Sequence, residues 1–302
     1  MAGTFAQLLE AGRVLILDGA MGTELQRRGA DTALPLWSAR ALVDNPNLVL
    51  EIHRAYIEAG ADIVTTNTFR TTRRTFRRAG LPDRSEELVK RAVELARQAQ
   101  ETFPERRVLV AGSIAPLEDC YRPDLVPGDT ELEGEHGELA SRLAAAGVDV
   151  LLLETMNTTR EAAAACRAAS ATGKDVCVSF LCTVQADLYD GSQIPEVVRS
   201  LIPLRPTAFS VNCVSARSIV NAVRQVRAAT SLPIGVYANV GLPEQEQGWE
   251  FTHDVSDGEY ATYASSWVAA GAQIIGGCCG TTPHTIETLC RALRRQAPAV
   301  NH

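Results

Sequence analysis

The chain predicts a single-domain α/β protein, a (β/α)8 TIM barrel, on three observations. Eight short runs rich in Val, Ile and Leu are apolar throughout rather than alternating, as strands buried on both faces are. Each run is followed by a polar turn and a stretch of helical periodicity. No linker, low-complexity segment or shift in composition divides the chain, so residues 1–302 read as one domain. Strands alternating with helices over this length are the pattern of a parallel barrel wrapped by helices.

In chain order the strand runs are VLIL from Val14, DIVTT from Asp62, RVLVAGS from Arg107 and VDVLLLE from Val148. They continue with DVCVSFL from Asp175, AFSVNC from Ala208, PIGVYAN from Pro233 and AQIIGG from Ala272. The helices between them are placed from Pro46, Glu86, Gly137, Thr159, Gln193, Ser215, Gly258 and Thr282. Several begin at a capping Thr, Ser or Asn and several end at Gly. Thr282 followed by Pro283 reads as a cap and first helical residue.

Composition removes whole classes of function. With 46% hydrophobic and 22% charged residues the chain is an ordinary globular protein, neither disordered nor fibrous. A net charge of -7 and the lack of a Lys/Arg block argue against nucleic acid or an anionic membrane as partner. The arginines of RTTRRTFRR, Arg70 to Arg78, are followed by acids and read as a solvated helix face. The N-terminal segment lacks the pattern of a secretory signal, and no apolar run is long enough to span a bilayer. Eight cysteines in such a chain point to a reducing compartment, the cytoplasm, rather than to a disulfide scaffold. Cys120, Cys166, Cys177, Cys182 and Cys290 read as packing residues.

A barrel of this kind carries its active site on the loops after the strands. That rim holds Asp18 to Gly22 after the first strand, Thr66 and Asn67 after the second, and Glu154 after the fourth. It also holds Asn212-Cys213 at the end of the sixth, Tyr237 to Asn239 at the end of the seventh and Cys278-Cys279 at the end of the eighth. One strand separates the sixth from the eighth, so three thiols can converge there. Three thiolates are a zinc pattern with a fourth tetrahedral position free, and glycines beside Cys278 and Cys279 would let two consecutive side chains face one ion. A buried Cys213 beside a turn that happens to hold two cysteines is the plainer reading of the same residues. An ion already neutralised by three thiolates polarises carbonyls poorly, but it deprotonates a bound thiol. The chemistry this favours is alkylation of a substrate sulfur.

The segments LILDGAMGTELQRRG, TNTF, VAGSIAP, LLLET, VNC and IIGGCCGTTP, in this order from about Leu15 to about Thr282, resemble the homocysteine S-methyltransferase family. That family includes the S-methylmethionine and betaine enzymes and the homocysteine module of cobalamin-dependent methionine synthase. The resemblance implies zinc held by Cys213, Cys278 and Cys279, and methyl transfer to the thiol of homocysteine to give methionine. It implies a clamp in which Asp18 and Glu154 hold the homocysteine ammonium while the amides of Gly19 and Ala20 hold its carboxylate. From the residues alone, Asp18 reads equally as a turn residue and Glu154 as a first-turn acid. Asn239 is implied as a fourth zinc ligand before substrate arrives, with a hydrogen-bonding loop asparagine as the other reading.

A sulfonium or quaternary ammonium donor would be held by aromatic faces. Trp37, Phe69, Tyr121, Tyr189 and Trp249 are the loop aromatics available. S-methylmethionine or S-adenosylmethionine is the expected donor, since TNTF and YANVGLPEQ are more like the methionine-synthase type of barrel than the betaine type. The alternatives are the homocysteine module of a split system served by a separate cobalamin protein, a non-catalytic zinc or thiol-binding barrel, and a phosphate-binding barrel enzyme. His284 reads as a surface or capping residue and His253 as a loop residue. Thr66 and Asn67 either line the pocket or satisfy loop backbone.

Overall fold

The computed structural model describes residues 3–241 and 254–296, the side chains only as far as 294. Among these residues eight parallel strands form one sheet: β1 (Leu15–Ile16), β2 (Ile63–Thr65), β3 (Leu109–Ile114), β4 (Val150–Met156), β5 (Asp175–Phe180), β6 (Ala208–Ser215), β7 (Ile234–Asn239) and β8 (Ala272–Gly277). Neighbours in the sheet run β1-β8-β7-β6-β5-β4-β3-β2. The remaining seam, between β1 and β2, closes through the pairing of Leu17 with Ile63. There the Asp18 amide donates to the Ile63 carbonyl at 2.9 Å and the Asp62 amide to the Ile16 carbonyl at 2.7 Å. The eight runs read from the sequence are these eight strands.

Continuous apolar strands divide their side chains between two cores. Leu15, Leu17, Ile63, Leu109, Val150 and Leu152 point into the barrel. Ile16, Val64, Val110, Leu151, Leu153 and Val236 point out to the helices. Both faces are buried, which is why the strands are largely apolar, although β5 and β6 carry Ser179, Ser210 and Asn212 between outward-facing Val and Phe. The N-terminal mouth of the barrel is stoppered by the helix Phe5–Glu10, started by a Thr4/Gln7 capping box. Its Phe5 and Leu9 join the interior cluster, each contributing about 1.5–3 kcal/mol by burial. The Ala6 amide donates to Asp175 and the Gln273 side chain to the Leu9 carbonyl, tying the stopper to β5 and β8.

Helices at Pro46–Glu58, Ser85–Glu101, Asp129–Ala146, Thr159–Ser170, Ile194–Leu201, Ile219–Ala229, Asp257–Ala269 and Pro283–Gln296 cover the outside. Two starts differ from the expectation. The helix placed from Gly137 begins at Asp129, where the acids Asp129 and Glu131 suit the positive helix end but supply no apolar periodicity. The helix placed from Ser215 begins at Ile219, because β6 continues past a bulge to pair Ser215 with Asn239. Short helices at Met21–Arg27, Ala41–Asp44 and Arg73–Arg78 lie in loops on the rim side.

The arginine cluster is a solvated face at Arg73, Arg77 and Arg78, but Arg70 and Arg74 are buried. Arg74 is 8% exposed and binds Glu118, Glu131 and Glu135 at 2.5, 2.9 and 2.8 Å. Its partners are acids 44 to 61 residues further along the chain, not those that follow the cluster directly. All eight cysteines are free thiols; Cys166, Cys177, Cys182 and Cys290 are buried as packing residues. Cys120 is buried too, but it also lines the rim cavity.

Candidate active site

One cavity opens at the C-terminal ends of the strands, and Asp18, Glu154, Cys213, Cys278 and Cys279 all line it. The five residues singled out as acids and thiols therefore share one chamber, although β1, β4, β6 and β8 deliver them. Gly19, Ala20, Thr66 and Asn67 also line it.

Two of these side chains are aimed by backbone irregularities. The register between β6 and β7 shifts between Asn212 and Ser215, and at this bulge Cys213 takes φ +59°. The register between β4 and β5 shifts between Leu153 and Met156, where Thr155, the residue after Glu154, takes φ +57°. Left-handed backbone is costly for a residue with a Cβ, on the order of 1 kcal/mol or more, and such positions persist where surrounding structure fixes them. The Asn212 side chain holds the second of these bulges. Asn212 Oδ1 accepts from the Thr155 amide at 3.0 Å and the Ser179 hydroxyl at 2.7 Å. Its chain neighbour is Cys213.

The three cysteine sulfurs lie within 4.8 Å of one another. Four sulfurs at ~2.3 Å from a tetrahedral zinc ion sit about 3.8 Å apart, so the cluster fits such an ion with little adjustment. Hydrogen bonds from the thiols of Cys278 and Cys279 push the Cys213 pKa well down, and those same contacts push the other two up. Three adjacent thiols cannot all ionise without a cation among them.

The glycines beside the pair serve mainly as space, not as twist. A Cβ on Gly276 would meet the Leu17 Cβ at 2.6 Å and the Asp18 carbonyl at 2.9 Å, and one on Gly277 would strike the Thr281 side chain. Only Gly280, at φ +80°, uses the left-handed conformation in this loop. Asn239 is buried beside the cluster: its Nδ2 donates to the Cys213 carbonyl and its Oδ1 accepts from the Cys279 amide, both at 3.0 Å. It clasps the two cysteine-bearing segments together, as the hydrogen-bonding reading of this residue has it.

Each carboxylate is braced by a hydroxyl from a neighbouring strand. Asp18, 3% exposed, accepts from the Thr65 amide at 2.7 Å and the Thr65 hydroxyl at 2.9 Å. Glu154 accepts from the Ser113 hydroxyl. Burial pushes Asp18 up to about 8 against those Thr65 bonds, with the charge of Glu154 adding to the rise. Burial likewise pushes Glu154 up to about 7, opposed by Ser113 and helped by Cys213. Two acids held close to neutral in one chamber are poised to ionise for a cation.

Gly19 lets the chain turn tightly: a Cβ there would lie 2.8 Å from both the Tyr56 ring and the Thr281 hydroxyl. The Ala20 amide donates to that Thr281 hydroxyl at 3.1 Å. Thr66 and Asn67 fulfil both of their readings. The Thr66 hydroxyl accepts from the Ser113 amide at 3.2 Å, and Asn67 Nδ2 donates to the Ser38 carbonyl at 2.8 Å. Trp37 and Phe69 line the chamber, whereas Tyr121 and Tyr189 meet edge to face beside it with ring centroids 6.0 Å apart. The side chain of His284 is 69% exposed, near Asp257 and Glu287, as a surface residue is. Trp249 and His253 lie outside the described residues.

Asn212 and Tyr237, which the sequence places at strand ends on the rim without a role, both line the chamber. Asn212 is fully buried with its Nδ2 unpartnered, and the hydroxyl of Tyr237 is likewise without a partner. The Tyr237 ring also borders the barrel interior, so it floors the chamber. Asn212 sits in the quoted VNC segment beside a candidate ligand, which is the one signal that could have found it.

Comparison with known proteins adds the following. A sequence model described as homocysteine S-methyltransferase matches residues 15–293. The homocysteine S-methyltransferase of Escherichia coli (strain K12) is 35% identical over 298 residues, covering 93% of this chain and 96% of its own. Homocysteine S-methyltransferase 2 of Zea mays is 32% identical, covering 96% and 94%. The selenocysteine Se-methyltransferase of Brassica oleracea var. italica is 31% identical, covering 95% and 90%. Among solved structures, the metallated form of the homocysteine methyltransferase MmuM from Escherichia coli superposes with a TM-score of 0.83 at 33% identity, covering 94% of this chain and 97% of that one. The apo form of MmuM gives 0.74 at 30% identity, covering 94% and 98%.

Proposed function

Because the chain belongs to the homocysteine S-methyltransferase family, whose reaction is methyl transfer to the homocysteine thiol giving methionine, we propose that it performs this reaction with zinc as its metal. The observation that carries the metal is the convergence of Cys213, Cys278 and Cys279 within 4.8 Å inside a chamber that also holds two carboxylates. In this reading those cysteines hold Zn2+, whose contribution is to keep the substrate thiol deprotonated at neutral pH. The chain is then a single homocysteine-binding barrel domain over residues 1–302, working in the cytoplasm. Among the described residues no helix is long and apolar enough to cross a membrane.

The protein's own groups do the positioning. Asp18 and Glu154 bind the homocysteine ammonium between them, and each gives up its proton as that cation takes its place. The turn at Gly19, with the Ala20 amide shared between Thr281 and the substrate, receives the carboxylate. Asn239 holds Cys213 and Cys279 in register; as a fourth ligand it would exchange one of its two backbone contacts for the ion. Trp37 and Phe69, which line the chamber, are aromatic faces available to a cationic methyl donor.

S-methylmethionine or S-adenosylmethionine is the proposed donor. Incubating zinc-loaded protein with homocysteine and methyl-deuterated S-methylmethionine, S-adenosylmethionine or betaine, with mass detection of methionine, tests the reading. Labelled methionine is expected from one of the two sulfonium donors. No product from any donor, in protein shown to hold zinc, would overturn it in favour of a separate cobalamin protein as donor or of a binding role.

A further inference from the structure

The hydroxyl of Tyr121 lies 3.5 Å from the sulfur of Cys213, within hydrogen-bond range for sulfur. A phenol of ordinary pKa, near ~10, is protonated at neutral pH, and a thiolate can only accept. Once Cys213 is a thiolate, the direction of this bond is settled: tyrosine donates and sulfur receives.

The tyrosine is held from three sides. Its own amide donates to Asp119 Oδ1 at 2.9 Å, and the preceding carbonyl, of Cys120, accepts from the fully buried Asn157 at 2.8 Å. The ring packs edge to face on Tyr189 at an interplanar angle of 73°. A side chain so fixed points its hydroxyl at the sulfur without further ordering.

We infer that Tyr121 is a positioning residue for Cys213, whose hydrogen bond to the sulfur favours the state in which homocysteine supplies a fourth sulfur to the metal. The inference rests on the zinc reading above. Its physical basis is charge. Three thiolates leave a Zn2+ centre with one negative charge, and a substrate thiolate makes it two, in a buried chamber that already carries Asp18 and Glu154. A hydrogen bond donated to a ligand sulfur draws off part of that charge, most effectively where charge is greatest. Tyr121 therefore matters more to homocysteine binding than to metal retention. Sequence reading offered Tyr121 as a face for the methyl donor; the hydroxyl contact assigns it to the acceptor side.

The test is Tyr121→Phe, which keeps the ring and its packing and removes only the hydroxyl. Zinc content is measured by mass spectrometry, homocysteine affinity of the zinc-loaded protein by calorimetry without donor, and the sulfur-to-metal charge-transfer band in the cobalt-substituted form. The expected result is full zinc content, a homocysteine Kd raised about 10-fold as for loss of a hydrogen bond to a charged group, and a shifted band. A Kd and band equal to those of the wild type would overturn the inference, as would a change confined to the donor KM, which would assign the hydroxyl to the donor instead of the sulfur. Wild-type protein that holds no zinc would instead overturn the metal reading itself.

Discussion

The thiol cluster and the carboxylate pair share one chamber but are prepared for their ligands in different ways. Asp18 and Glu154 are each braced by a neighbouring strand, through Thr65 and Ser113. Their geometry is complete before any ligand arrives, and burial keeps them near neutral until a cation does. Cys213, Cys278 and Cys279 brace chiefly one another, and their ionisation is opposed by that closeness. In the proposed reading the carboxylates form a pre-set receptor, and the thiols a cluster whose charge needs an ion at its centre. Removing a group from each should accordingly fail in different ways.

The largest effect belongs to the thiols. Cys213→Ala, Cys278→Ala or Cys279→Ala should each remove zinc and lower kcat/KM at least about 1000-fold, equal to ~4 kcal/mol of transition-state stabilisation. Zinc assay beside kinetics checks this, and full activity in metal-free protein would end the metal reading. Next come Asp18→Asn and Glu154→Gln, which should leave zinc content intact and raise the homocysteine KM about 10–100-fold, the loss of a charged hydrogen bond. An effect on the donor alone would show that the acids serve the other substrate.

A third substitution asks whether the two groups are mechanically separate. Asn212→Leu removes the acceptor that holds the Thr155 bulge and disturbs the residue before Cys213. It should weaken zinc binding and raise the homocysteine KM together, each about 10-fold. Chelator competition and steady-state kinetics on one preparation would read both, and movement of only one would mean that the bulges are set independently.

The smallest effect is on stability, and its sign follows from burial. Asp18 titrates at 3.8 when free and at about 8 in the fold. Below pH ~4 both states hold the proton; as pH rises toward about 8 the unfolded chain ionises while the fold resists, so stability is lost across that window. Asp18→Asn escapes this penalty. Its Tm should exceed the wild type's by several degrees at pH 8 and match it at pH 4, in thermal melts of the ligand-free proteins. Equal melting at pH 8 would show that Asp18 is ionised without a ligand.

The strands and the three cysteines were legible in the sequence because each leaves a local mark: a continuous apolar run, or a rare residue beside glycine. The bulges at Thr155 and Cys213 were not, since nothing distinguishes a threonine or cysteine that will take a positive φ from one that will not. The purpose of Gly276 and Gly277 was read as twist and proved to be clearance from Leu17, Asp18 and Thr281, atoms far away in the chain. Arg74 looked solvated because its acid partners lie about forty to sixty residues away. The contacts of Asn212 and Tyr237, and the sulfur contact of Tyr121, which sequence had offered only as a donor face, escaped notice for the same reason: they join loops and strands distant in sequence. Helices such as Met21–Arg27 are too short to show a period.

The last strand pairs with the first, Leu15 beside Ile274 and Ile16 beside Ile275, and the glycines that follow on β8 pack against Leu17 and Asp18. Synthesis therefore delivers Asp18, Glu154 and Cys213 long before the Cys278-Cys279 pair that must join them. On the ribosome, a growing chain has an unclosed sheet for most of its translation and a lone site thiol, Cys213, between residues 213 and 277, and the pocket comes into being only at ring closure. If the three cysteines hold the proposed metal, its capture is a late event in the life of the polypeptide, available only once Cys278 and Cys279 have joined Cys213.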